Sequence, residues 1–356
     1  MHADLRPHRP LRPSAPALAV LIILATCSSN CTRNGDAHGR LPEGFRRSGD
    51  SILYHNMVLD GVDAGSFQVL DASFCKDSGR VFHFDSYRES RDYFLTKKHV
   101  IDRLDRADAA SFQVLGHAYA KDDRQAWYRD QPFRVKDLRS LQALSPRIVK
   151  DDTSAYLDRK PIPGSHGRSF ALIDHTYARD TLHRFYIQGS GNEVAVAAIP
   201  CDPPTFRILD HTYAVDRAHV FHQGRRIPGA LPEGFVLLGS GYARDGRSVF
   251  FRGRHVAGAD PATFTLFAEN ERSSGEVLYA QDTGHIYVND MPFEGVDRAT
   301  FRILDEKYTV DINGVYFRMQ RVHGADPLTF KVYPHYLGEA DAEDKDHRYG
   351  DGNVVE

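Results

Sequence analysis

The sequence predicts a mainly β protein: tandem units of about 29 residues, each of short antiparallel strands plus a helical turn, stacked into an elongated, solenoid-like array. Three observations carry this. A phrase of aromatic, glycine and aspartate residues recurs at a nearly constant spacing. Tyr (17) and Phe (21) are plentiful, while Trp and Met are scarce. Gly, Asp and Pro interrupt the aromatic residues every few positions, which favours short strands and tight turns over long helices.

Residues 1–26 read as an export signal rather than as part of the fold. Arg6, Arg9 and Arg12 supply positive charge, and the apolar run Leu18-Ala19-Val20-Leu21-Ile22-Ile23-Leu24 is too short for a permanent membrane span. Leu24-Ala25-Thr26-Cys27 resembles the lipobox of bacterial lipoproteins, with Thr26 where Gly, Ala or Ser is usual. The expectation is lipidation of Cys27, an anchor in the membrane through the N-terminal lipid, and a tether over 27–44. Ser28 after the cysteine resembles outer-membrane sorting. An ordinary secretory signal is the alternative. Three cysteines remain, Cys31, Cys75 and Cys201, an odd number with no marked pairing, so no structural disulfide is expected.

From residue 45 onward the period takes over. Tyr242-Ala243-Arg244-Asp245 is followed by Val249-Phe250-Phe251 and by Gly258-Ala259-Asp260-Pro261-Ala262-Thr263-Phe264. The same sequence of features opens again at Tyr279 and Tyr308. Walking backwards, its first position falls at Tyr213, Tyr177, Ile148, Tyr119, Phe74 and Phe45. Most steps are 29 residues, and the longer ones mark insertions of 16, 7 and 8 residues after Phe74, Tyr177 and Tyr242. The array is read as about nine and a half units over 45–349, with a truncated last copy and a tail over 350–356.

This phrase resembles the DKNYY family of exported bacterial proteins. Asp344-Lys345-Asp346-His347-Arg348-Tyr349 stands closest to the family's name motif, with Asp346 in place of its Asn. The resemblance implies export and a repetitive architecture, and carries no activity with it.

Within a unit, the first strand ends at Tyr-Ala-x-Asp. Asp77, Asp122, Asp151, Asp180, Asp216, Asp245, Asp282 and Asp311 hold one place, where a carboxylate accepting backbone N–H groups two residues on closes a turn. The second strand carries the buried aromatic, from Phe82 and Trp127 to Tyr287 and Tyr316. A third strand and a helical turn follow. Asp260-Pro261 and Asp326-Pro327 read as N-cap and first helical position. Phe264, Phe301, Phe330 and their equivalents pin that turn to the sheet. One unit cannot bury both faces of so small a sheet, so neighbours must stack. A β-propeller-like ring is the alternative, disfavoured because blades usually need about 40 residues.

The functional signals are sparse. A net charge of -3 without a long basic run leaves no footprint for nucleic acid, so no nucleic-acid partner is expected. Asp311-Ile312-Asn313-Gly314 opens like a calcium loop, but Val322 stands where the bidentate Glu belongs. His183, His219, His285 and His347 share one position without a metal-ligand spacing. No metal site, no cofactor and no catalytic residue is expected, and the protein is read as non-enzymatic. Binding concentrates in departures from a repeat. The insertion from Ser86 to Arg103, with Tyr87, Tyr93, Phe94, Lys97, Lys98 and His99, is therefore the candidate interaction site for an envelope protein or glycan. A structural envelope protein is the alternative, with a hydrolase behind both. The expected location is the bacterial cell envelope, lipid-anchored at the outer membrane.

Overall fold

The structure, a computed structural model, describes residues 41–88, 97–191, 193–272, 274–337 and 339–355. The signal, Cys27, Tyr93 and Phe94 lie outside the described residues.

Ten small antiparallel sheets follow one another along the described chain, over 45–58, 68–103, 113–133, 142–161, 171–199, 207–226, 236–255, 265–292, 302–321 and 331–354. The seventh shows the unit most plainly. A lead strand, Val236–Gly239, pairs with a tyrosine strand, Tyr242–Arg244; an aromatic strand, Val249–Phe251, and a return strand, Arg254–His255, complete it in sequence order. The sequence reading has three strands per unit, and the structure has four. The lead strand, often two residues as at Arg207–Ile208, was missed because so short a segment shows no alternation of its own. The first sheet has three strands among the described residues. The last copy is not truncated: its return strand, Asn353–Val354, takes in residues read as a tail.

Side-chain alternation explains the repeat. Successive residues of a strand point to opposite faces, and both faces here are covered. Tyr242 and Phe251 join the core between the seventh and eighth sheets, while Ala243 and Phe250 join the core between the sixth and seventh. The first residue of this strand thus faces forward and the second back, as Phe74 and Cys75 do in the second sheet and Ile148 and Val149 in the fourth. Phe264 fills the forward core, with its ring centroid 5.5 Å from those of both Tyr242 and Tyr287. Phe206 and Phe235, at the same offset, are only partly buried.

Nine such cores link the ten sheets in strict sequence order, and none of them joins the first sheet to the last. The described chain is thus an open array, not a ring.

The expected helical turn is a single hydrogen-bonded turn. Phe264 N–H donates to the Asp260 carbonyl at 3.0 Å, and Phe330 N–H to Asp326 at 3.1 Å, four residues apart; at Asp202-Pro203 the turn closes over three, with Thr205 N–H on the Asp202 carbonyl at 3.2 Å. Asp260 caps its turn by accepting the Ala262 N–H at 3.0 Å and the Thr263 hydroxyl at 2.7 Å. Among the described residues there is no α-helix, only 3-10 turns at Gly167–Ser169 and Ala268–Arg272. The second of these lies within the insertion after Tyr242. The other two insertions lengthen one hairpin each, as described next.

Candidate functional site

The repeated aspartate is the first residue to test for function, and its surroundings assign it to the scaffold. Oδ1 of Asp216 accepts the N–H groups of Ala218 at 2.8 Å and His219 at 2.7 Å, closing the expected turn. Oδ2 reaches back 14 residues to the Asp202 N–H at 2.8 Å. The same backward bond recurs from Asp77 to Asp344 in nine sheets. The Thr of the Asp-Pro-x-Thr-Phe phrase works beside it: Thr205 Oγ1 accepts the Arg217 N–H at 3.1 Å. Burial by itself would push the Asp216 carboxyl up, but these N–H groups outweigh it and hold the group below the usual carboxylate range.

Asp311, the apparent start of a calcium loop, is occupied in the same way. Its oxygens accept Asn313 N–H at 2.8 Å, Gly314 N–H at 3.0 Å and Asp297 N–H at 2.5 Å. With the Tyr316 hydroxyl at 3.2 Å, a cation would have to displace four donors. His183, His219, His285 and His347 each stand beside the aspartate of their own unit, Nδ1 to Oδ1 3.4, 3.5, 3.8 and 3.9 Å. Among the described residues no cluster of three or more His, Cys, Asp or Glu is arranged around a metal position. Cys75 and Cys201 are free. Burial, then the charge of Asp77, pushes the Cys75 thiol far up, which keeps it protonated.

The insertion after Phe74 forms an arm. Its strands, Val81–Tyr87 and Lys98–Arg103, are six to seven residues long, where the neighbouring third sheet uses three. Cross-strand pairing sets Tyr87 opposite Lys98 and Ser86 opposite His99, and successive pairs face opposite ways. His99 turns toward the first sheet: its ring stacks on His55 with centroids 3.4 Å apart, and Nδ1 lies 2.6 Å from Ser86 Oγ, itself 2.8 Å from Tyr54 Oη. Burial, with the nearby His55 and Lys97 charges, lowers the His99 pKa. Tyr87 and Lys98 belong to the other face, with Asp85, whose carboxylate lies 3.8 Å from Arg129 of the third sheet. Tyr87 is 42% exposed, and Lys97 is exposed at the base of the second strand.

The candidate residues are therefore divided: His99 fastens the arm, while Tyr87 and Lys98 face away from that fastening. Among the described residues no carboxylate bonds the His99 imidazole, and the Ser86–His99 contact, continued to Tyr54, ties the arm to the first sheet. Tyr54, His55 and Ser86 were not singled out in the sequence. The 16-residue insertion was the available signal, but its fastening partners lie a whole unit upstream.

A second arm occupies the fifth sheet, Arg184–Ser190 with Glu193–Ile199, and accounts for the insertion after Tyr177. Its tip returns to the fourth sheet, where Arg147 donates to the Gly191 carbonyl.

Stacked four-stranded sheets, clamped to one another by a buried aspartate, define a tandem-repeat scaffold of the solenoid class. The chain belongs to the DKNYY family, whose model matches residues 45–189 and 191–353. No curated protein and no solved structure gives a match.

Proposed function

We propose that the protein is an exported, lipid-anchored interaction module of the bacterial envelope, tethered through Cys27 and without an enzymatic activity of its own. The array is the scaffold. The arm over 86–103 is the surface presented to an envelope protein or glycan. One observation carries this reading: the repeat's conserved-offset polar groups are consumed in clamps between neighbouring units, while the arm leaves Tyr87 and Lys97 exposed. Tyrosine is among the residue types that dominate binding hot spots. Leu24-Ala25-Thr26-Cys27 followed by Ser28 supports the anchor and the outer-membrane location.

The test is a pull-down from native envelopes, comparing the intact acylated protein with one whose residues 86–99 are replaced by Asn-Gly. The shortened hairpin keeps Asp85 opposite Val100 and Phe84 in its core. A partner captured by the intact protein and absent with the shortened one is the expected result. Identical captures by both overturn the assignment of the arm.

A further inference from the structure

A second binding place arises from a substitution in the repeat rather than from an insertion. In the sixth, seventh and tenth sheets, the turn between aromatic and return strands has Gly224, Gly253 or Gly352 as its second residue, at φ +74°, +77° and +79°. A Cβ on Gly253 would stand 2.7 Å from Cβ of His222 in the sheet before, and one on Gly352 would stand 2.7 Å from Cβ of Phe317. In the seventh and tenth sheets the glycine N–H also meets a tyrosine hydroxyl of the preceding sheet, Tyr213 at 3.0 Å and Tyr308 at 2.8 Å, whereas Tyr177, in the sheet before Gly224, keeps a buried hydroxyl without a partner among the described residues. The fourth sheet has Arg159 in this position, at φ +71°. A Cβ stands there where Gly253 closes on His222, the equivalent of Tyr128, and the Arg159 side chain lies over the Tyr128 ring.

A cavity of about 410 Å3 opens there, lined by Tyr119, Tyr128, Arg147, Asp158, Arg159 and Gly191. Its volume falls within the range of small-molecule sites, about 300–1,000 Å3. Tyr119 is the counterpart of Tyr213 and Tyr308 and is 1% exposed; among the described residues its hydroxyl makes no hydrogen bond, and its oxygen, unlike the buried one of Tyr177, is open to the cavity. Burial, then the fields of Tyr128 and Asp158, pushes its pKa up to about 12, so it stays a donor. The Arg159 guanidinium lies 5.4 Å from the Tyr128 ring centroid and pairs with no carboxylate among the described residues. Arg147 grips Asp158 through Nε at 2.8 Å and through a second N–H, and holds the tip of the fifth-sheet arm at Gly191 as the far wall. The Asp158 oxygens keep lone pairs for further donors.

We propose that this cavity binds an acidic sugar unit of an envelope glycan, its carboxylate on Arg159 and Tyr119 and its hydroxyls shared between Tyr128 and Asp158. The mixture of donors with a carboxylate acceptor decides the class. Of the two arginines a bare anion uses only Arg159, since Arg147 is already engaged by Asp158, whereas a ring with several hydroxyls and one carboxylate uses both kinds of group, and aromatic walls suit its apolar face. This deepens the binding-module reading and rests on it, but on a surface separate from the arm over 86–103.

Calorimetric titration of the full mature chain tests it, with an oligogalacturonate, a neutral oligosaccharide of matching length and inorganic phosphate as probes. Two variants accompany the wild type. Tyr119→Phe removes only the unpartnered hydroxyl. Arg159→Gly removes the cation and restores the turn glycine of the seventh and tenth sheets. The oligogalacturonate is expected to bind, the neutral probe and phosphate not to. Tyr119→Phe weakens binding about tenfold to a hundredfold, the loss of one hydrogen bond to a charged group, with an unchanged melting temperature. Arg159→Gly abolishes binding. No binding of the acidic probe, equal binding of phosphate as an adventitious ion only, or equal binding by Tyr119→Phe and wild type overturns the proposal. Both variants keep the second-sheet arm, so the pull-down and the titration fail independently.

Discussion

Asp216 is 3% exposed and lies below the usual carboxylate range, a combination made possible by three N–H groups converging on its two oxygens. Hydrogen bonds to a charged group contribute about 1.5–3 kcal/mol each, and donors left dry cost more than the bonds were worth. Asp216→Ala is expected to destabilise the array by about 4 kcal/mol, read as a lowered urea midpoint. Asp216→Asn, which keeps one acceptor, should lose about half of that. The pH dependence follows from the same groups. In Asp77, Asp151, Asp180, Asp216, Asp282 and Asp344 burial opposes ionisation, and the hydrogen bonds outweigh it, leaving each carboxyl lowered, Asp344 to about 2. A carboxyl whose pKa is lower folded than unfolded stabilises the fold fully above its unfolded value and loses that contribution as pH falls through the folded one. Burial lowers His83 and His222, which favours their neutral forms in the fold and adds a shallower loss below their unfolded pKa of about 6.5. Urea midpoints should therefore decline gently below about pH 6.5 and steeply between about pH 4 and 2. The turn-closing role of Oδ1 was legible from Asp followed by Gly or polar residues. The backward reach of Oδ2 was not, because its donor comes close only when the neighbouring unit is stacked.

The tight turns separate two reasons for a glycine. Gly253 and Gly258 have nearly the same φ, +77° and +75°, but a Cβ on Gly253 meets His222 at 2.7 Å while one on Gly258 meets nothing within 4 Å. Gly258→Ala should cost only the left-handed strain, about 1–2 kcal/mol. Gly253→Ala adds a clash with a packed side chain and a threatened bond to Tyr213, and should cost about 3–4 kcal/mol in the same urea experiment. Equal losses would show that spacing between sheets is set elsewhere. At this scale the sequence marked strands and turns well where aromatic and glycine residues anchor them. It missed the lead strand at Arg207–Ile208, whose two residues are paired only because the tyrosine strand beside it offers a free edge. The insertions were visible as breaks in the period, but nothing in Ser86 or His99 announced His55 as the partner.

Across the whole molecule, each core joins only a sheet and its successor. Stability is then close to a sum over neighbours. Removing residues 148–176, one full period, brings Tyr177 into the place of Ile148 and re-forms the same kind of interface. That variant should keep a cooperative β-sheet circular dichroism signal, with a modestly lower melting temperature. Removing 15 residues from the same stretch should abolish folding of the surrounding units, since half a period sets tyrosines against the wrong faces. A chain in which both deletions unfold alike would contradict the neighbour-only picture.

The sequence by itself determined the period, the buried aromatic positions, the turn aspartates and the places where the period breaks, because these depend on residue type at a fixed spacing and on alternation within one strand. Only the tertiary structure decided that the array is open, that the aspartate ties each unit to the turn before it, that the arm divides His99 from Tyr87, and that a cavity lies between Tyr119 and Arg159. Each of these depends on the distance between neighbouring sheets, and that distance is set by packing of side chains far apart in the chain, which no local pattern records.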